Sequence, residues 1–165
     1  IDKVKKTLEI NPIMLFPRIL EAKPLMNKHL LEELKVTKLR ANAWKPYLKE
    51  CGRILKINEK MISLDKDKNE TSAQGIIYSL ILRLRGIYLI ENIKNKTLYS
   101  NKSFLSWLEK NSELNEKEIN TLYTIYKKER DNQRVNVKVN VKTALQLIGI
   151  LKKEIKNHGK KRKTS

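Results

Sequence analysis

The stretch from Ile76 to Ile90, IIYSLILRLRGIYLI, constrains the fold more than any other part of the chain. Its only polar side-chain groups are the Ser79 hydroxyl, the Arg83 and Arg85 guanidiniums, and the hydroxyls of Tyr78 and Tyr88. A helix that is apolar nearly all round belongs at the centre of a bundle, covered on every side by other helices. It is not a membrane span, because the chain contains no uncharged apolar run of about 18 residues. Only 5 Gly and 4 Pro occur among 165 residues, while Lys, Glu, Leu and Ile are abundant. The neighbours of the central helix are therefore expected to be helices as well. The predicted fold class is all-α, a helical bundle of roughly five to seven helices with room for a very short two-stranded ribbon. The length suits one domain with a real core, taken as 1–158, followed by a basic tail at 159–165.

The remaining elements follow from periodicity and punctuation. Residues 1–23 are expected to form an irregular segment packed on the bundle. DKVKKTLE at 2–9 allows a short helix, Pro12 opens a turn or short helix, and Pro17 and Pro24 interrupt regularity. Leu30, Leu34, Thr37, Ala41, Trp44, Leu48, Cys51 and Leu55 are spaced alternately four and three apart. That stripe predicts one long amphipathic helix, kinked near Pro46. Residues 58–70 are polar and predict a loop or interrupted hairpin. Thr71 and Gln74 fit a capping box opening the central helix, which runs to about Asn95. Ser100 or Asn101 caps a short helix whose Phe104, Trp107 and Leu108 face inward. Asn115, with Glu118 three residues on, opens another carrying Ile119, Leu122, Tyr123 and Tyr126. Trp44 and Trp107 both fall on apolar faces and are expected to be core residues. Val135, Val137, Val139 and Val141 alternate like a strand, for which Ile62 and Leu64 are the candidate partners. A last amphipathic helix carries Leu145, Ile148, Leu151 and Ile155 on one face.

Lys plus Arg number 36 against 18 Asp plus Glu, giving net +18 and a pI near 10.0. A lysine-rich chain also arises from AT-rich coding or high growth temperature. The excess nevertheless favours a polyanionic partner, nucleic acid above all. Eight of the 36 cations are Arg and 28 are Lys, so solvated point charges dominate over planar forks. The candidate nucleic-acid contacts are Arg85, Arg130 and Arg134, with Lys160, Lys161, Arg162 and Lys163 of the tail. The single Cys51 excludes an internal disulfide and a cysteine metal site. No signal peptide is visible, and a cytoplasmic protein is expected.

No enzymatic site of the chain's own is expected. His29 and His158 are far apart, and no acid or cysteine is expected to join either as a ligand, so the expected metal and cofactor sets are empty. Asp65 and Asp67 form an acid-x-acid pair of the kind that two-metal nucleotidyl transfer uses. Here no Gly-Ser turn precedes them, no sheet is predicted, and Lys66 and Lys68 intervene, so the segment is expected to be a solvated loop. On a helix Arg83 and Arg85 stand about 200° apart and cannot share one environment. Arg83, on the stripe of Glu91 and with Glu129 as a second acid, is expected to be the buried, carboxylate-paired member. Arg85 is left to line a groove and meet phosphate.

The order LILRLRGIYLIEN, LYSNKSFLSWLEKN, LYTIYKKERDN, NVKTALQLIGILKKEI over residues 71–156 resembles the HEPN-like helical domains that accompany minimal nucleotidyltransferases. In those domains a long apolar helix with an arginine precedes a Ser-capped short helix, a Tyr-x-x-x-Arg helix, and a closing amphipathic helix; Tyr126 and Arg130 match the third. Ribonuclease members carry a histidine a few residues after that arginine, whereas this chain reads DNQRVNVKV after Arg130. The resemblance thus implies a non-nuclease member that binds substrate or regulates a catalytic protein partner, encoded beside it or lying in a missing N-terminal domain before Ile1. A reading of a different class is a free-standing accessory subunit of a replication, transcription or ribosomal nucleoprotein assembly.

Overall fold

A computed structural model describes residues 2–40, 42–64, 70–71, 74–133 and 137–159. In chain order it contains α1 (Asp2–Ile10), α2 (Pro12–Glu21), α3 (Lys28–Lys35), α4 (Lys45–Leu64), β1 (Glu70–Thr71), α5 (Gln74–Asn95), α6 (Asn101–Lys110), α7 (Glu116–Arg130), β2 (Val139–Asn140) and α8 (Val141–Gly159). The architecture is an all-α bundle. Among the described residues the only strands are a two-residue antiparallel pair, with Glu70 opposite Asn140 and Thr71 opposite Val139. No described helix is long and apolar enough to cross a membrane.

The central position of α5 follows from its sequence. Ile77, Leu80, Ile81, Leu84, Ile87 and Ile90 point in different directions around the helix, and all are fully buried. That is possible only because α2, α4, α7 and α8 each pack against it. α4 and α8 also pack on one another, and α6 lies against α7. Gly86 lets α4 come close: a Cβ there would overlap the Tyr47 ring and hydroxyl, and that hydroxyl donates to the Arg83 carbonyl at 3.2 Å.

Within the N-terminal segment, Asp2–Ile10 and Pro12–Glu21 are regular helices, not irregular chain. Pro12 is the first residue of α2, where its missing N–H would be unpaired in any case. Pro17 is tolerated inside α2, whose Ile13, Phe16 and Ile19 bury against the bundle along with Leu8 of α1. The stripe from Leu30 to Leu55 is not one helix either. α3 stops at Lys35, and α4 starts afresh at Lys45, with Pro46 in its first turn, where proline starts a helix without kinking it. Leu34, Trp44, Leu48, Cys51 and Leu55 are all buried, so the apolar spacing survives a break in the backbone.

α4 runs on through residues 58–64, which are neither loop nor hairpin. Asn58 is buried there and donates to the Ser79 hydroxyl of α5 at 3.1 Å. Each of these polar side chains satisfies the other, which is what burial of either requires. Ile62 sits in the same helix, so the strand partner of Val139 is Thr71. Thr71, the expected cap of α5, lies in β1. The other two caps are as expected. Ser100 with Ser103, and Asn115 with Glu118, each form a complete capping box. Leu145 is exposed, and the inward face of α8 is carried by Ala144, Leu147, Ile148, Ile150 and Leu151.

Candidate nucleic-acid interface

Both opening arginines are half-buried, and the one with side-chain partners is Arg85, not Arg83; those partners are phenols, not a carboxylate. Its Nε donates to the Tyr99 hydroxyl at 2.8 Å, and its Nη1 donates to the Tyr126 hydroxyl. The guanidinium carbon lies 5.1 Å from the Tyr99 ring centroid and 5.0 Å from that of Tyr126. Two aromatic faces and two phenolic oxygens stabilise the cation without cancelling its charge. Among the described residues no carboxylate pairs with it. Arginine has five N–H donors, of which these hydrogen bonds use two.

Arg83 is half-buried and makes no ion pair among the described residues, with Glu129 or otherwise. Glu91 turns instead to His158. The expectation failed because about 12 Å separates residues eight apart on a helix, and among the described residues no acid of a neighbouring element forms an ion pair with Arg83.

Helix geometry brings the phenols to Arg85. Tyr126 lies on the buried face of α7, stacked between Tyr78 of α5 at 5.5 Å and Tyr123 at 5.6 Å. Tyr99 immediately precedes the Ser100 cap of α6, and its hydroxyl donates to Asn101 Oδ1 at 2.9 Å. Burial pushes the Tyr99 phenol up to about 12, and the adjacent Arg85 works in the opposite direction. Tyr99 therefore stays protonated at neutral pH and can accept from Arg85 while donating to Asn101.

Tyr99 also meets Tyr88 edge-on at 6.0 Å, and Tyr88 packs on Trp107 at 5.5 Å. Tyr88 and Trp107 line an open groove along α6 together with Ser103, Ser106, Lys102 and Lys110. Trp44 is buried and Trp107 mostly so, as expected, with Trp107 packed against the core and part of it lining this groove. A partly exposed indole beside two lysines, two aromatic rings away from Arg85, suits a strand of bases and phosphates.

Of the expected contacts, Arg130 belongs to the same neighbourhood. It ends α7, four residues after Tyr126, but Asp131 holds it in a two-pronged pair at 2.8 and 3.0 Å. Lys127 lies over the Tyr123 ring at 5.5 Å. Arg134, Lys160, Lys161, Arg162 and Lys163 lie outside the described residues, as do Asp65 and Asp67. Tyr99, Lys102, Trp107 and Lys110 were missed as site residues. The signal that could have found them is the run YSNKSFLSWLEK itself, which puts aromatics and lysines on adjoining faces of one short capped helix.

His158 needs a correction of its own. Glu154 stands four residues before it on α8, a ligand spacing that the sequence displays, and Glu91 reaches the pair from α5. One donor atom of each lies within 4.8 Å of the others.

Comparison with protein-family models, with curated proteins and with solved structures finds no match to this chain.

Proposed function

We propose that this chain is a non-catalytic, basic helical domain that binds nucleic acid through its phosphates and serves a catalytic partner. The observation that carries the reading is Arg85, a guanidinium embedded between two phenols with no described carboxylate on it. Through Tyr99 it is joined to Tyr88, which lines a groove with two lysines and a partly exposed tryptophan. Net charge of +18 supplies the long-range attraction. The absence of a histidine soon after Arg130 supports a role without RNA cleavage, and the resemblance over residues 71–156 supports a nucleotidyltransferase as the partner. Ile57, Met61 and Leu64 of α4, with Leu145 on the neighbouring α8, are exposed large apolar side chains, which suits a protein surface as well.

The test is a binding titration of RNA and DNA, single-stranded and duplex, across a range of salt. Affinity should fall linearly on a log–log plot, with about 0.9 of slope per phosphate contact on duplex DNA. Arg85→Ala should weaken binding roughly tenfold or more, the scale of one charge-assisted bidentate contact. Lys102→Glu with Lys110→Glu should flatten the salt slope. Binding that ignores salt, or that survives both changes intact, refutes the proposal.

A further inference from the structure

The seam between the end of α5 and the end of α8 carries a cluster that the nucleic-acid reading does not use. His158 Nε2 lies 3.4 Å from Glu91 Oε1 and 3.7 Å from Glu154 Oε2. Glu154 and His158 are one turn apart on α8, and Glu91 comes from α5. Glu154 is almost wholly buried, its side chain 6% exposed, and the His158 side chain is 10% exposed. Two carboxylates thus share one imidazole in a place where an uncompensated charge is costly.

We propose that Glu91, Glu154 and His158 form a site for a divalent cation of the zinc type, with three protein ligands and a fourth position open to water. The spacing supports it: tetrahedral bonds of about 2.0–2.1 Å put neighbouring ligand atoms about 3.4 Å apart. One imidazole nitrogen with two carboxylate oxygens is a donor set that suits zinc, manganese or cobalt better than calcium. A dipositive ion also balances the two carboxylates, which a single histidine does not. Glu154 is already oriented from behind, because Asn157 Nδ2 donates to its other oxygen at 3.2 Å. Outer partners of this kind fix the ligands of a metal site.

Lys94 is the opposing feature, and it makes the proposal testable. Its Nζ lies 3.0 Å from His158 Nδ1. An ammonium only donates, so Nδ1 accepts and the ring proton sits on Nε2, facing the carboxylates. A metal ion takes the Nε2 lone pair. The ring proton then moves to Nδ1, and Lys94, exposed at the end of α5, must withdraw from it. Lys94 is therefore a competitor of the metal. The bound ion fastens the last turns of α8 to α5, a role independent of whether nucleic acid binds.

The experiment uses the full chain without a histidine tag, stripped by chelator and titrated with Zn2+ by calorimetry, with melting followed in parallel. The expected result is one ion per chain and a higher melting temperature. Co2+ in its place should give the visible absorption band of a tetrahedral site. Glu91→Gln and His158→Ala should each weaken binding at least tenfold, and Lys94→Gln should strengthen it. Glu91→Gln guards against misfolding, since it keeps the shape of a partly exposed side chain. Absence of a melting shift, equal affinity in Glu91→Gln and His158→Ala, or unchanged or weaker binding in Lys94→Gln overturns the proposal.

Discussion

At the scale of single residues, most polar groups inside the bundle are met by a neighbour, although the buried Asn92 Nδ2 on α5 is not. Arg85 meets two phenols, Ser79 meets Asn58, and the Arg83 carbonyl meets Tyr47. Truncating Arg85 removes two charge-assisted hydrogen bonds and leaves the buried Tyr126 hydroxyl without that donor. Arg85→Ala should therefore cost about 2–4 kcal/mol, against about 1 or less for Arg83→Ala, whose side chain has no described ion pair. Equal losses in side-by-side melts would contradict the assignment. Gly86 makes the complementary case. A methyl there displaces Tyr47, so Gly86→Ala should cost about 1–3 kcal/mol by overpacking. The cost should shrink in a Tyr47→Ala background, where the collision is gone. An undiminished cost in the double variant would place the strain elsewhere.

At the scale of elements, what the sequence disclosed depended on whether the signal was local. The Ser100 and Asn115 capping boxes were legible because the pattern and the hydrogen bonds lie within four residues. The centrality of α5 was legible because an all-round apolar helix has no other place to go. The break between α3 and α4 was not, since Leu34 and Trp44 keep the stripe spacing although no single helix joins them. The continuation of α4 through Asn58 was hidden because its buried amide finds its partner, Ser79, on another helix. Arg85 was legible as an anomaly but not in its pairing, which depends on how α7 and the start of α6 dock on α5. The Glu154–His158 spacing was in plain view, but Glu91 joins it only through packing of α8 on α5. The capping boxes also give a test at this scale. Asn115→Ala should cost about 1 kcal/mol, within a range of about 0.5–2, and Asn115→Ser should recover most of it. A neutral Asn115→Ala would mean that α7 is held by packing alone.

At the scale of the whole molecule, burial ties the stability of the bundle to alkaline pH. It pushes the Cys51 thiol from 9.0 up to about 11 and the Tyr99 phenol from 10.0 up to about 12. It pushes the Tyr47 phenol further in the same direction. Each group is neutral when protonated, and the folded chain holds its proton more tightly than the unfolded chain does. Their contribution is therefore fully present below the unfolded values and is lost as the pH rises through a window from about 9 to about 12. An opposing effect operates in the same range. Lysines begin to lose their protons near pH 10, which relieves the self-repulsion of a +18 chain. The two separate by salt: about 0.1 M brings the screening length to about 10 Å, while groups inside the bundle are screened far less. In concentrated salt the melting temperature should stay level from about pH 7 to about pH 9 and fall steadily above that. Cys51→Ala removes the first group to ionise, so its decline should begin about one pH unit later, when the tyrosines take over. A melting temperature that stays level to pH 11 at high salt would show that Cys51 and the tyrosines are not held in the bundle interior, and with them the close packing of α4 on α5.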